Sequence, residues 1–188
     1  LLGCSFSWEQ ALADAGYPPR HVEAGTNVAM YVTNVENAAS GPFGGRLVVS
    51  MRPYAPEAVP AVAALTEAYP AAHGGPIHWG DPAAIGINDL TAPDFGDAVR
   101  VAPGEVPVFW ACGVTPQSAL AEAALPLCVT HAPGHMFVCD LVDEALRNDV
   151  DEARARLLNG GDDERLTFRI AQNALLKASR EYVLPLYN

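Results

Sequence analysis

The stretch VPVFWACGVTPQSALAEA, Val106 to Ala123, sets the expected fold. Val106–Trp110 is a short run of β-branched, aromatic and other apolar residues, the signature of a buried strand. Ala111-Cys112-Gly113 is a tight turn in which the glycine is free to take a positive φ. Thr115 stands where an N-cap belongs and Pro116 at the first helical position, so a helix is expected from there to Ala123. A strand that turns into a helix aims main-chain N–H groups at the crevice above it, a setting that favours an anion.

The first fifteen residues carry the same device. Cys4, Ser7, Ala11, Leu12, Ala13 and Ala15 recur 108 positions later as Cys112, Thr115, Ala119, Leu120, Ala121 and Ala123. Glu9 corresponds to Gln117 and Asp14 to Glu122. Each copy reads as strand, small residue, cysteine, capping hydroxyl, helix. Two such turns either pack closely for structural reasons or open on one crevice, where ligands of open α/β sheets bind.

With 188 residues, half of them hydrophobic, the chain suits one compact domain or a core with a modest insertion. No apolar run reaches the roughly 18–20 residues of a membrane span. A net charge of −11 argues against nucleic acid and anionic membranes as partners. Cys4, Cys112, Cys128 and Cys139 are too widely spaced for a zinc motif and suit free thiols in a reducing compartment. That compartment is the cytoplasm, or the mitochondrial matrix in a eukaryote. The chain opens Leu1-Leu2-Gly3, without methionine and in mid-strand, and is expected to be a fragment.

Gly16-Tyr17-Pro18-Pro19 breaks the chain after the first helix, and Arg20 and His21 follow. Strands are expected at Asn27–Val35 and Arg46–Met51, the second ended by Arg52-Pro53, with a helix from Pro56 to about Tyr69. That helix shows Val59, Val62, Ala63 and Thr66 on one face. A short strand lies around Ile77–Trp79, and turn-formers fill Asn88–Phe95. The expected division is an α/β core of residues 1–23 and 99–140 around an inserted α+β lobe of residues 24–98. Past the central helix come a strand at Leu127–Thr130, a turn at 131–135 and a strand at Met136–Asp140. Composition changes at residue 141: fifteen of the sixteen prolines but only four of the eleven Lys/Arg precede it. Residues 141–188 therefore read as a helical hairpin, serving packing or homo-oligomerisation.

The candidate chemistry lies in four places. His131 and His135 flank a Pro-Gly turn that can direct both imidazoles to acid–base or substrate-binding work, to a metal, or to structural hydrogen bonds. No HExxH motif or third ligand accompanies them, so no metal is expected. His78 and Asp81 share a glycine-rich stretch, where the carboxylate either orients the imidazole or simply forms a turn. Cys112, at a helix start, is either a nucleophile of depressed pKa or inert packing. Arg52, beside a Pro turn, suits a bidentate carboxylate or a surface ion pair.

The segments GCSFSWEQAL (3–12), GPFGGRLVVSMRP (41–53), HGGPIHWGDPAAIGINDL (73–90), PDFGD (93–97), GEVPVFWACGVTPQ (104–117) and THAPGHMFVCD (130–140) occur in this order. Together they resemble the D-glutamate cyclase family, also described as hydro-lyases of the YcsI type. The resemblance covers nearly all of residues 1–140. It implies an α/β protein with a larger three-layer α/β/α domain and a smaller two-layer one. It also implies a lyase that closes D-glutamate to 5-oxo-D-proline with loss of water. Members carry a substantial segment ahead of the GCSFS stretch, and the residues after Asp140 match nothing in the family pattern.

The resemblance supplies no catalytic residue set, so roles follow from the chemistry. Ring closure needs a base for the amine, an acid for the departing hydroxyl and donors for the oxyanion. His131 or His135 serves as base and acid, with Asp81 orienting an imidazole such as His78 or donating the proton. Cys4, Ser5, Ser7, Gly113 and Thr115 line the two turns that supply donors, and Arg52 holds the α-carboxylate. No ATP motif or other cofactor signature is present. The alternatives are dehydration of another small hydroxy or amino carboxylic acid, and a non-catalytic carboxylate-binding subunit.

Overall fold

The protein is described by a computed structural model that covers residues 4–136 and 142–147. Its centre is the strand β2 (Arg46–Tyr54), buried at every position after the first. A strand buried without interruption must be covered on both faces and flanked on both sides. On one side it pairs antiparallel with β1 (Ala29–Glu36), and on the other with β4 (Val106–Ala111), whose far edge takes the two-residue β3 (His78–Trp79). The strand order is β1-β2-β4-β3, and all three pairings are antiparallel. The strand expected within residues 99–140 thus lies in one sheet with those expected within 24–98.

Side-chain alternation sorts the core. Leu47, Val49 and Met51 of β2 join Ala29, Tyr31 and Phe109 on one face. That face is closed by Ile77, Ile85, Ile87 and Val99 from turns and 3-10 segments. Tyr54, Val108 and Trp110 point the other way, against Trp8 and Leu12 of the first helical segment and Val59 and Val62 of a later helix. The helices are α1 (Glu9–Asp14, preceded by a 3-10 turn Ser5–Trp8), α2 (Arg20–Ala24), α3 (Val59–Glu67) and α4 (Thr115–Glu122). This is a mixed α/β arrangement. No helix among the described residues is long and apolar enough to cross a membrane.

Several elements differ from expectation, each for a local reason. Strand β2 continues through Arg52-Pro53, because Pro53 faces Pro107 in the β4 register. The carbonyls of Pro107 and Phe109 receive Gly80 N and Ile77 N from the β3 side, so the odd residues of β4 turn their backbone groups away from β2. A missing N–H costs the ladder nothing there. Thr115 is the first residue of α4 rather than its cap. Its hydroxyl accepts from Val48 N (3.0 Å) and donates to Val48 O (3.1 Å), tying the helix start to β2. Ser7 lies inside the Ser5–Trp8 turn, and Cys4 takes the cap position without a side-chain bond. Residues 127–130 form no strand, for no neighbouring strand among the described residues pairs with them, and Leu127 and Val129 are 81% and 88% exposed. Most of the expected strand at 136–140 and of the helical hairpin at 141–188 lies outside the described residues, which there hold a 3-10 turn, Asp143–Leu146.

The outer edge of β1 is also occupied. Met30 and Phe95 exchange both main-chain bonds (2.9 and 3.2 Å), and the Asp94 carboxylate accepts from Val32 N at 2.7 Å.

Candidate functional site

An arginine on β2 must find a counter-charge inside the protein, since its neighbours on the strand are buried on both faces. Arg52 is wholly buried. Its Nε donates to Glu9 Oε1 at 2.8 Å, and one terminal nitrogen donates to the same oxygen. The remaining contacts are Ser50 Oγ and Ser5 Oγ, each at 3.0 Å. The guanidinium lies over Trp8, 4.4 Å from the ring centre, and 5.5 Å from that of Trp110, whose ring packs against Trp8 with centres 5.2 Å apart, so both rings make cation–π contacts from one side. The two rings are in turn fixed by Trp8 Nε1 donating to Ala72 O (3.0 Å) and Trp110 Nε1 donating to Thr66 Oγ1 (3.1 Å).

Glu9 is brought here because it opens α1, directly after the turn that seats Trp8. Its Oε1 also faces His21 Nε2 at 3.1 Å, from the first turn of α2. Burial pushes the Glu9 carboxyl up, but Arg52 and His21 more than reverse this and hold it below the usual carboxylate range. Glu9 is therefore a carboxylate at neutral pH. His21 is buried, and its Nδ1 has no hydrogen-bond partner among the described residues.

The thiols beside this cluster are neutral. Burial pushes Cys112 up to about 11, against the pull of the Val114 and Gly113 N–H groups, and burial likewise raises Cys4. The depression that a helix start confers on a thiol is outweighed by desolvation. His73 carries a second buried nitrogen, Nε2, without a partner among the described residues, and burial lowers its pKa to about 4.

The residues singled out from the sequence fall into three places. Cys4, Ser5, Ser7, Arg52 and Cys112 lie on the helix-covered side, with Gly113 and Thr115 following at the head of α4. His131 is exposed beside that helix: Gln117 Nε2 donates to its carbonyl at 2.8 Å and stands 3.3 Å from its ring Nε2. His135 is exposed too, its Nδ1 3.0 Å from Pro133 O, and the turn between them closes through His135 N donating to Ala132 O. A surface groove of about 450 Å³ runs past Gln117, Leu120, Leu125, Cys128 and Thr130. His78 stacks on Phe109 and so belongs to the opposite face of the sheet from Arg52. It meets Asp81 through the latter's main-chain carbonyl (2.8 Å), while the Asp81 carboxylate caps the next turn by accepting from Ala83 N.

Two members of the buried cluster, Glu9 and His21, were not singled out from the sequence. The signal available was Arg52 itself, an arginine embedded in an apolar strand, which requires a buried carboxylate partner.

An α/β chain with this buried ion-pair cluster and these motifs matches the D-glutamate cyclase family over residues 1–140, and it belongs to that family. Its relatives are named as candidate hydro-lyases. One from Rubrobacter xylanophilus is 62% identical over 143 residues, covering 76% of this chain and 55% of the relative. Others from Methylobacterium radiotolerans and Jannaschia sp. are 60% identical over 147 residues and 56% over 144, covering 78% and 77% of this chain and 54% of each relative. The chain spans about half the length of the curated relatives it matches.

Proposed function

We propose that the chain serves the dehydration of D-glutamate to 5-oxo-D-proline, as a carbon–oxygen lyase without cofactor. The amine nitrogen bonds to the γ-carboxyl carbon, a C–O bond of that carboxyl breaks, and the hydroxyl leaves as water. The observation that carries this reading is the family match across 1–140, which contains the whole Glu9–Arg52–His21 cluster.

In this reading His131 and His135 are base and acid, since imidazoles change charge near neutral pH and both are accessible. Gln117 fixes His131 beside α4, whose preceding turn, Cys112 to Thr115, faces the developing oxyanion. Arg52 acts through Glu9, because its donors are engaged within the protein. His78 and Asp81 take no part. A three-layer arrangement of the complete enzyme belongs to the same proposal.

The relatives' names give a hydro-lyase without a substrate, which favours dehydration of another small carboxylic acid as the second reading. Chiral chromatography after incubation with D- and L-glutamate, a panel of 2-hydroxy acids, and 5-oxo-D-proline in reverse separates the two. D-selective formation of 5-oxoproline is expected. Turnover of a hydroxy acid with D-glutamate untouched would replace the first reading with the second.

A further inference from the structure

We propose that the unoccupied oxygen of Glu9 receives the ammonium group of the substrate, so that the site selects an α-amino acid over its 2-hydroxy counterpart. The inference rests on the D-glutamate reading above and deepens it. Glu9 Oε1 is saturated: two N–H groups of Arg52 and Nε2 of His21 converge on it. Oε2 is different, since no donor among the described residues reaches it. The exposure of the cluster points the same way. Arg52 has none and the His21 side chain 4%, while the Glu9 side chain keeps 10%. The cluster therefore meets the outside chiefly through Glu9.

A carboxylate anchored through one oxygen cannot rotate away, and its second oxygen is a fixed, charged acceptor. An ammonium group brings a full positive charge and three donors to such an acceptor, whereas a hydroxyl brings one donor and no charge. The ion pair with Arg52 keeps Glu9 ionised, so it holds the ammonium rather than taking its proton, and proton removal is left to a group of higher pKa. Glu9 is thus a binding residue, and Arg52 and His21 are positioning residues that set its orientation.

The test is isothermal titration calorimetry of the chain with D-glutamate, D-2-hydroxyglutarate and N-acetyl-D-glutamate. Wild-type protein is expected to bind D-glutamate about 10- to 100-fold more tightly than either analogue, the span of one charge-assisted hydrogen bond. In Glu9→Gln that preference falls to about onefold, by loss of D-glutamate affinity alone. Near-ultraviolet circular dichroism of Trp8 and Trp110 checks that the variant is folded. If it is not, Glu9→Asp, which keeps the charge for Arg52 but withdraws the free oxygen, is read in the same way. A folded variant that retains the preference overturns the Glu9 assignment and leaves the D-glutamate reading standing. Wild-type protein that does not bind D-glutamate, or binds all three ligands alike, overturns ammonium recognition and the D-glutamate reading together.

Discussion

Replacing Arg52 by methionine, alone and with Glu9→Gln, tests whether the buried cluster organises the helix-covered side of the sheet. In Arg52→Met the Glu9 carboxylate stays buried without its cation, which costs about 3–5 kcal/mol. The lost cation–π contacts with Trp8 and Trp110 would add about 1 kcal/mol, but a thioether packed beside the same rings returns a similar amount. The net loss is then about 3–5 kcal/mol from a total that for such domains is about 5–15 kcal/mol. Adding Glu9→Gln removes the stranded charge, so the double variant should recover to within about 1–2 kcal/mol of wild type. Urea unfolding followed by tryptophan fluorescence is the assay, because two of the three tryptophans flank the substituted side chain. With a slope of about 1–3 kcal/mol per molar urea, the single variant's midpoint should fall by about 2 M. A single variant that loses less than about 1 kcal/mol would refute the reasoning. So would a double variant whose loss equals the sum of the two single losses.

Three further outcomes are expected. Because Glu9 is held below its ordinary value of 4.5, its stabilisation is complete above that pH and is lost as pH falls through the lower folded value; the thermal midpoint of wild type should therefore drop more steeply below about pH 4.5 than that of Glu9→Gln. Gly96 and Gly104 share a positive φ, +74° and +88°, but a methyl group at Gly96 would strike the Val28 carbonyl while one at Gly104 meets open space. Thermal melts should show Gly104→Ala losing about 1 kcal/mol and Gly96→Ala about 3 kcal/mol or more, and equal losses would contradict the packing described. Iodoacetamide at pH 8, read by mass spectrometry, should label the exposed Cys128 in the native protein and reach Cys112 only after unfolding; equal rates would show that burial does not protect Cys112.

The strands were legible where side-chain pattern and backbone demand agree. Val106–Trp110 reads as a strand and is one, and the apolar face at Val59, Val62 and Thr66 faces the core. Arg52-Pro53 was misleading because a proline's effect depends on which neighbour its nitrogen faces, and that is set by a strand more than fifty residues away. Residues 127–130 have the composition of a strand without a partner to make them one. The site was legible in part. Arg52, Ser5 and Cys4 share one neighbourhood, but Glu9 looked like an ordinary polar position because it corresponds to Gln117, which the structure places at the surface beside His131. The separation of His78 from Arg52 follows from the register of β3 on β4, which no local pattern encodes.

The outer edge of β1 bears on how this unit can be joined to anything else. A bare edge offers N–H and C=O groups to any passing strand, and proteins commonly blunt such edges to avoid unwanted pairing. Here Phe95 occupies the backbone of Met30 in both directions, and Asp94 places a negative charge on the N–H of Val32. A strand arriving from another chain would have to evict a hydrogen-bonded segment and lie against a carboxylate. At Met30 and Val32 the sheet cannot grow on that flank without displacing the protein's own polypeptide, which favours association through the faces of the unit or its opposite flank.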